Sequence, residues 1–544
     1  MSKFKLRNKY DFNKKEDIVT SLLKARGISD IQEFLSPSIN VLNSAYLLGE
    51  MGLVVARILS AIKNNERICI SADPDSDGVC STAIMVRYIS KFTNNYYISY
   101  AQRSEGHGIE YQLEFIDTKN TDLLIILDSS TNSTEACEIL SKSMNIIILD
   151  HHDVEEVNPY AYIVNPKNDK TYPNKNISGA GVVYKVIQAL DERLGSGEVG
   201  DLIDLVAVGM YADMMPMDVL ENRHLVIQGM KNIKNPGLLK VLEIANVSLD
   251  KVNSQTIGFT ISPLLNGCAR KDKLELGIEL LICDDDQRCT ELVMEMRALN
   301  DERRQEEKIL YENYLTKIDP NDKVLIAIDE NASKNFNGLI ANKFSQEFHR
   351  PAIVMREHEG SLAGSYRGFA SFDMKGFLNR KEIRKYLKYA LGHPSAGGVG
   401  LKSSNFKAFK EAINKALKHY DFNSDIYYDY EIDASLITPK LVNQIQEFDY
   451  CSGQGFPPAM FYVREIYVED NEDRVVMGKN RDTVKIKSCD VDVIKFKTNE
   501  NWASDVGTMD TIDVVGQLSL NEWIKWNGEV VITTQVVADS YLIV

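Results

Sequence analysis

The chain is short of paired cysteines, of long apolar runs and of net positive charge. Its eight cysteines, Cys69, Cys80, Cys137, Cys268, Cys283, Cys289, Cys451 and Cys489, include no CxxC pair, and Cys283 to Cys289 is the wrong spacing for a zinc knuckle. That excludes a disulfide scaffold and a cysteine zinc site, and fits reduced thiols in a cytoplasmic protein. No apolar run approaches the roughly 18 residues of a membrane helix. The basic start MSKFKLRNKYDFNKKED has no apolar stretch behind it, so neither a membrane span nor a secretory leader is expected. Lys plus Arg number 62 against 78 Asp plus Glu, a net charge of −16. This excludes a blanket basic coat for nucleic acid, but not a local basic groove. There is no internal repeat and no low-complexity tract.

What is present is ordinary globular composition, 44% apolar and 26% charged, over 544 residues, enough for about three or four domains. Residues 1 to about 60 read as helical, with breaks at Gly27 and Pro37. Three short apolar runs follow, RICISA (67–72), TDLLIIL (121–127) and NIIIL (145–149), with helical stretches at about 79–92 and 132–143. Fully apolar short runs are the mark of buried parallel strands, and the alternation predicts a doubly wound α/β sheet. Each run ends on an aspartate, Asp73, Asp128 and Asp150. In such sheets ligands bind at the carboxyl ends of the strands.

The strongest motif is Asp73-Pro-Asp75-Ser-Asp77-Gly78. Three alternate carboxylates at one strand end repel each other by several kcal/mol at low effective dielectric, and a divalent cation removes the conflict. An acidic turn is the plain competitor. An EF-hand loop is not supported, because its twelfth position here is Ile84 and the motif follows a strand. The second motif is Asp150-His151-His152-Asp153. Adjacent histidines point in different directions, so one can ligate a metal while the other meets a phosphate or leaving group. Asp128 and Asp213, in YADMMP, complete a set of carboxylates plus imidazole without thiolate. That donor set suits Mn²⁺ or Mg²⁺ better than structural zinc. Several carboxylates can hold two such ions and support in-line displacement at phosphorus, so phosphodiester hydrolysis is the reaction class expected.

A helix over about 285–318, with Leu292, Met296 and Leu299 on one narrow stripe, fits a connector between lobes. A second α/β unit is expected from about 322: strand KVLIAID, helix 336–349, and strands at 351–357 and 361–368. A glycine-rich loop, Leu391 to Gly400, comes later. Gly364-Ser365-Tyr366-Arg367-Gly368 and Gly392-His393-Pro394-Ser395-Ala396-Gly397-Gly398 combine small residues with one cation-capable side chain each, which suits phosphate. From about 426 the pattern becomes closely spaced short strands, which suggests an OB-like barrel.

Taken together these motifs resemble the DHH phosphoesterase superfamily, and within it the RecJ family of bacterial single-strand-specific exonucleases. DPDSDGVCSTA, LDSS, LDHHD and VGMYADMMPMDVL resemble its four motifs in order. LAGSYRG and LGHPSAGGVGL resemble the DHH-associated domain, and ITPKLVNQIQEFDYCSGQGFPPAMF and IDVVGQLSLNEW the C-terminal barrel region. The resemblance implies an N-terminal helical segment over 1–50, a DHH catalytic domain over 51–230 and a helical connector over 231–320. A DHH-associated domain over 321–422 and an OB-like nucleic-acid-binding domain over 423–544 would follow. It implies metal ligation by Asp73, Asp75, Asp77, Asp128, His151 and Asp213, with two Mn²⁺ or Mg²⁺ ions and Asp128 between them. His152 would face the substrate phosphate. Asn266, Arg270, Ser365, Arg367, Gly392, His393, Gly397 and Gly398 would hold phosphate and the 5′ end.

The sequence departs from the family pattern at Ser71, where many members carry histidine, and in N-G-C-A-R and L-G-H-P-S-A-G-G, where Leu391 and Gly397 are substituted. The activity implied is a processive 5′-to-3′ exonuclease on single-stranded DNA, acting in recombination and repair. It would be a cytoplasmic monomer, partnered by single-strand-binding protein and a helicase. Phe456, Trp523 and Trp526 are candidate base-stacking groups, with barrel packing as the plainer role. Arg270, Arg367, His393, Lys479, Lys485 and Lys487 would form the local basic path. A DHH phosphodiesterase acting on nanoRNA or dinucleotides, a nuclease-inactive replication scaffold and a manganese pyrophosphatase are the alternatives.

Overall fold

The computed structural model describes residues 4–8, 16–330, 333–422, 425–470, 473–478, 481–526 and 528–544. It divides into two compact units that do not follow chain order. One comprises Met1–Leu42, Met214–Ile227 and Ser424–Val544, the other Asn43–Asp213 and Gln228–Asn423. Among the described residues no single helix is long and apolar enough to cross a membrane.

The larger unit holds two sheets. In the first, five parallel strands run in the order Tyr96–Tyr100, Ile68–Ala72, Leu123–Leu127, Asn145–Leu149, Tyr162–Val164. Every residue of Ile68–Ala72 and Leu123–Leu127 is buried, as strands covered on both faces require. The chain leaves Ile68–Ala72 toward one edge and then returns to its other side. The winding therefore reverses between Ile68–Ala72 and Leu123–Leu127, which opens a crevice at their carboxyl ends. The sequence reading found the three central strands and missed both edge strands. Tyr96–Tyr100 is mostly half-buried and Tyr162–Val164 is short and partly exposed, so neither shows a clean apolar run.

The second sheet runs Leu387–Gly392, Ala396–Lys402, Ser361–Arg367, Ala352–His358, Leu325–Asp329, and only its last two strands are parallel. The glycine-rich segment expected as a loop is instead a β-hairpin. Its glycines are needed inside the ladder. A Cβ on Gly397 would strike the Leu391 carbonyl and the Tyr366 hydroxyl, and one on Gly400 the Tyr389 ring. The helix Asp286–Leu315 joins the two halves of the unit. Its early residues Leu292, Val293 and Met296 are buried beside the helices Pro236–Ile244, Ser262–Arg270 and Leu274–Ile282. Tyr311 and Tyr314, near its end, enter the core of the second sheet with Phe336 and Phe344.

The smaller unit is a seven-stranded β region. Its order is Tyr430–Asp433, Phe461–Tyr467, Thr511–Ile524, Val530–Ile543, Asp492–Phe496, Thr483–Ile486, Arg474–Met477. Two of its strands are 14 residues long, longer than the short strands expected. Outside the sheet lies an unanticipated helix, Pro439–Asp449. The N-terminal segment is not wholly helical, because Phe4–Leu6 pairs in parallel with Ile426–Tyr428. Phe456 is 2% exposed. It packs against Phe34 and Phe448 with the guanidinium groups of Arg26 and Arg223 over its ring. Its role is the packing one and base stacking is excluded. Trp523 and Trp526 are exposed. Lys487 is exposed, Lys485 pairs with Asp492 at 2.6 Å, and Lys479 lies outside the described residues.

Candidate metal and phosphate site

Asp73 directly follows Ile68–Ala72, and the chain turns at once into the helix Ser76–Ile89. Asp75 caps that helix, accepting from the Asp77 and Gly78 N–H groups at 3.0 Å each. Gly78 permits the turn, because a Cβ there would run into the Asp73 backbone. Asp77 lies in the helix's first turn and also meets the start of a second helix, Gly179–Leu194. It accepts from Ser178 Oγ at 2.9 Å, Gly179 N at 2.7 Å and Ala180 N at 3.1 Å. Two helix N-termini thus stabilise one carboxylate. Asp128, after Leu123–Leu127, has φ 61°. Gly179 and Gly209 make room: a Cβ on the first would overlap the Asp128 carboxyl group, and one on the second would lie 2.5 Å from Asp77 Oδ1.

His151 ties these acids together. Its Nε2 is 3.2 Å from Asp128 Oδ1, 3.4 Å from Asp213 Oδ2 and 3.9 Å from Asp77 Oδ2. The His152 ring lies beside that of His151, and its Nδ1 is 2.8 Å from Asp150 Oδ1. Asp150 is buried and serves as the anchor of both histidines. It accepts from the His151 and His152 N–H groups at 2.7 and 3.1 Å and from Thr131 N and Oγ1 at 3.0 and 2.6 Å. This anchoring role was not read from the sequence, although an aspartate at a strand end before two histidines is its signal.

The candidate ligands form three overlapping groups whose donor atoms lie within 4.8 Å of one another: Asp73, Asp75 and Asp128; Asp77, His151 and Asp213; Asp128, His151 and His152. Asp73 Oδ1 and Asp128 Oδ1 are buried with no hydrogen-bond partner. Burial, then the Asp75 carboxylate, pushes Asp73 well above the carboxylate range, and burial, then Asp77, does so for Asp128. Asp213, half-buried, is raised by desolvation and then Asp77. Asp77 rises to about 6 through burial and Asp75, against its hydrogen bonds. Crowded, underpartnered oxygens of this kind fit divalent cations. Burial and the neighbouring His152 push His151 down to about 3, which leaves its ring neutral and able to ligate. His152 is raised to about 9, since the hydrogen bond and charge of Asp150 outweigh its burial. Ser71 stands outside the cluster: it is buried and donates to Gln112 Oε1 at 2.9 Å.

A cavity of about 310 Å³ opens beside the acids, lined by Asp73, Asp75, His152, Arg103, His107 and the start of the helix Lys334–Phe348. Arg103 donates to the Pro74 carbonyl at 2.7 Å. Arg103, His107, Lys334 and Asn335 were missed in the sequence, where Gly106 and Gly108, at φ 153° and 95°, are a local signal for the first two alone. Arg270 donates to the Asn335 carbonyl at 2.5 Å, and Asn335 Nδ2 to the Arg270 carbonyl at 2.9 Å. Burial, then Arg103, Arg303 and Arg367, lowers Arg270 to about 9, so several guanidinium groups lie within electrostatic reach of one another, with Arg103 on the cavity lining. Asn266 is half-buried one turn before Arg270. Arg367 packs over Gly338 and donates to the Tyr366 carbonyl at 2.8 Å. Ser365 sits mid-strand between Val354 and Gly398. Gly392 pairs with Gly397 to close the hairpin. Its tip carries His393, within electrostatic reach of Lys167, Asp153, His152 and Lys375.

Comparison with known proteins adds to this geometry. The model of the DHH family, N-terminal domain, matches residues 67–210, and that of the RecJ OB domain matches 428–535. An SPbeta prophage-derived protein of Bacillus subtilis named as a single-strand DNA-specific exonuclease, YorK, is 28% identical over 556 residues, 95% of this chain and 94% of that one. The single-stranded-DNA-specific exonuclease RecJ of Bacillus subtilis is 28% identical over 534 residues, 93% of this chain and 66% of that one. The crystal structure of RecJ from Thermus thermophilus in complex with Mn²⁺ shares the fold, with TM-score 0.79 and 23% identity over 99% of this chain and 80% of that one. A DHH domain and a RecJ OB domain are thus matched in order along the chain, around an acid and imidazole cluster, and the chain is RecJ-like over nearly its whole length.

Proposed function

We propose that the protein is a metal-dependent exonuclease that hydrolyses single-stranded DNA processively from the 5′ end, in DNA recombination and repair. The observation that carries this reading is the cluster of Asp73, Asp75, Asp77, Asp128, His151 and Asp213, with two buried oxygens that accept no hydrogen bond, beside the cations that line the cavity. These six side chains would hold two Mn²⁺ or Mg²⁺ ions, the metals named for RecJ crystal structures of Thermus thermophilus. Bound there, the ions supply Lewis-acid charge that activates water and neutralises phosphate.

The chain's own groups do the rest. Asp75 and Asp77 are fixed by helix N-termini and cannot drift. Asp150 holds His152 protonated at the cavity edge, where its ring binds an oxygen of the scissile phosphate. Arg103 and Lys334 line the same cavity and neutralise the flanking phosphates. Lys167 pairs with Asp153 at 2.8 Å, and His393 is within electrostatic reach of both and of His152, a position suited to the terminal 5′ phosphate. The smaller unit would carry the rest of the strand, as the match to the RecJ OB domain suggests. Single-strand-binding protein and a helicase are the expected partners of a cytoplasmic monomer.

The test compares 5′- and 3′-labelled single strands with Mn²⁺. Release of the 5′ label as mononucleotide is expected, and Asp128→Ala should remove it while leaving the folded circular dichroism spectrum. Preference for a dinucleotide over a long strand, or full activity in Asp128→Ala, would overturn the reading.

A further inference from the structure

The stretch from Lys375 to His393 in the second half of the larger unit runs against the acidic balance of the chain. It carries Lys375, Arg380, Lys381, Arg384, Lys385 and Lys388 against a single acid, Glu382. Its apolar residues Phe377, Leu378, Ile383, Leu387 and Ala390 turn into the core of the second sheet. The cations are thereby left on the outside, and Arg380, Lys381, Lys385 and Lys388 are exposed.

Their charge is held in place without being cancelled. Arg384 donates to the Leu387 and Lys388 carbonyls at 2.7 and 3.0 Å, and Lys388 to Ser361 Oγ at 2.7 Å. Among the described residues none of the six makes an ion pair, whereas Lys410, on a neighbouring helix, pairs with Asp322 at 2.8 Å. One end of the strip reaches the site, because Lys375 acts electrostatically on both Asp153 and His393. Tyr386 and Tyr389 are interleaved with the cations, and Lys385 lies 4.9 Å over the Tyr386 ring. Uncancelled cations interleaved with aromatic rings are the pattern of a surface that follows a phosphodiester backbone.

We infer that the strip Lys375–Lys388 is a track for the backbone of single-stranded DNA, leading to the His393 end of the site. The inference rests on the exonuclease reading, which names the polymer. An acidic peptide would satisfy the charge, but the continuity with a phosphodiester site favours DNA.

The experiment uses the full chain with Lys381→Gln and Lys385→Gln together, both exposed and outside the catalytic cluster. Binding of a 5′-phosphorylated oligodeoxythymidylate is followed by anisotropy in EDTA across a salt series. The slope of log Kd against log salt should fall by about 1.4, about 0.7 for each phosphate that the variant no longer neutralises. Lys381→Arg with Lys385→Arg should keep the slope. Mn²⁺-dependent hydrolysis of bis(p-nitrophenyl) phosphate, which is too small to reach the strip, should stay at the wild-type rate in both variants. An unchanged slope in the glutamine variant, with wild type binding normally, overturns the track and leaves the exonuclease standing. Wild type that neither binds nor degrades the strand overturns the exonuclease reading and the track with it.

Discussion

Gly179→Ala isolates what the geometry of the acid cluster is worth. The added methyl would sit 2.6 Å from the Asp128 carboxyl carbon and 2.7 Å from its Cβ. To go from 2.6 Å to an ordinary contact of 3.4 Å, that carbon must retreat by about 0.8 Å. Gly179 is also the first residue of a helix and donates to Asp77 Oδ2, so the backbone cannot yield without loosening a second acid. A constellation of this kind tolerates about 0.5 Å, and a misplacement of about 1 Å can cost about 100-fold in rate. That is about 2.7 kcal/mol of transition-state stabilisation. The fold should survive, because alanine is favoured over glycine in a helix by about 1 kcal/mol, which offsets part of the overlap.

Gly52→Ala is the matched control. It lies in the second position of the helix Met51–Lys63, and nothing stands within 4 Å of its would-be Cβ. It should gain about 0.5–1 kcal/mol of stability and leave activity untouched. The assays are strand degradation with Mn²⁺, thermal unfolding, and the rise of the unfolding midpoint on adding Mn²⁺. Gly179→Ala should lose activity and most of the Mn²⁺-induced rise while unfolding near wild type without metal. Wild-type activity together with a wild-type Mn²⁺ response in Gly179→Ala would refute the view that Asp128 is held in place by contact.

Two further outcomes follow from the charged groups. In the metal-free protein Asp150→Asn removes the carboxylate that raises His152 to about 9. Its imidazole titration, followed by NMR, should then move down, with the Asp73 and Asp213 carboxylates left as its remaining support, and an unchanged titration would contradict the anchoring role of Asp150. The His152 cation that wild type retains up to about pH 9 should be lost at a lower pH in the variant. In the smaller unit, burial raises Asp449 to about 7. A carboxyl raised on folding contributes most below its unfolded value near 3.8, and the contribution is lost as pH rises through about 7. Asp449→Asn, which keeps an oxygen for the Ala459 N–H, should match wild type near pH 4 and be more stable near pH 8, by at most about 4 kcal/mol before solvent screening. Urea unfolding at the two pH values measures this, and equal stabilities at the higher pH would contradict it.

The acids and the histidine that converge in the cluster were readable because their signal is local. Asp73, Asp128 and Asp150 each end an apolar strand that is buried on both faces, so the run and its terminal acid stand out in any window. Elements whose role depends on distant partners were harder. The edge strands Tyr96–Tyr100 and Tyr162–Val164 are covered on one side only, and the hairpin Leu387–Lys402 is rich in glycine because the Tyr366 and Tyr389 rings leave no room for side chains. Phe456 looked like a base-stacking candidate until Phe34 and Arg223, far away in the chain, were found to enclose it.

The sequence by itself determined the donor chemistry: carboxylates plus imidazole, most of them at strand ends, with no thiolate, in an α/β fold. Hydrophobic periodicity and residue type are properties of short segments, so they can be read without neighbours. Only the tertiary structure decided which acids converge, that Asp150 anchors both histidines, and that Gly179 and Gly209 open space for Asp128 and Asp77. It alone brought Arg103 and Lys334 to one cavity, with Arg270 bonded to the Asn335 carbonyl at its edge, and left the cations of Lys375–Lys388 without an ion pair among the described residues. Carboxylate crowding, desolvation and charge cancellation act through space across residues far apart in the chain, and no stretch of sequence contains those distances.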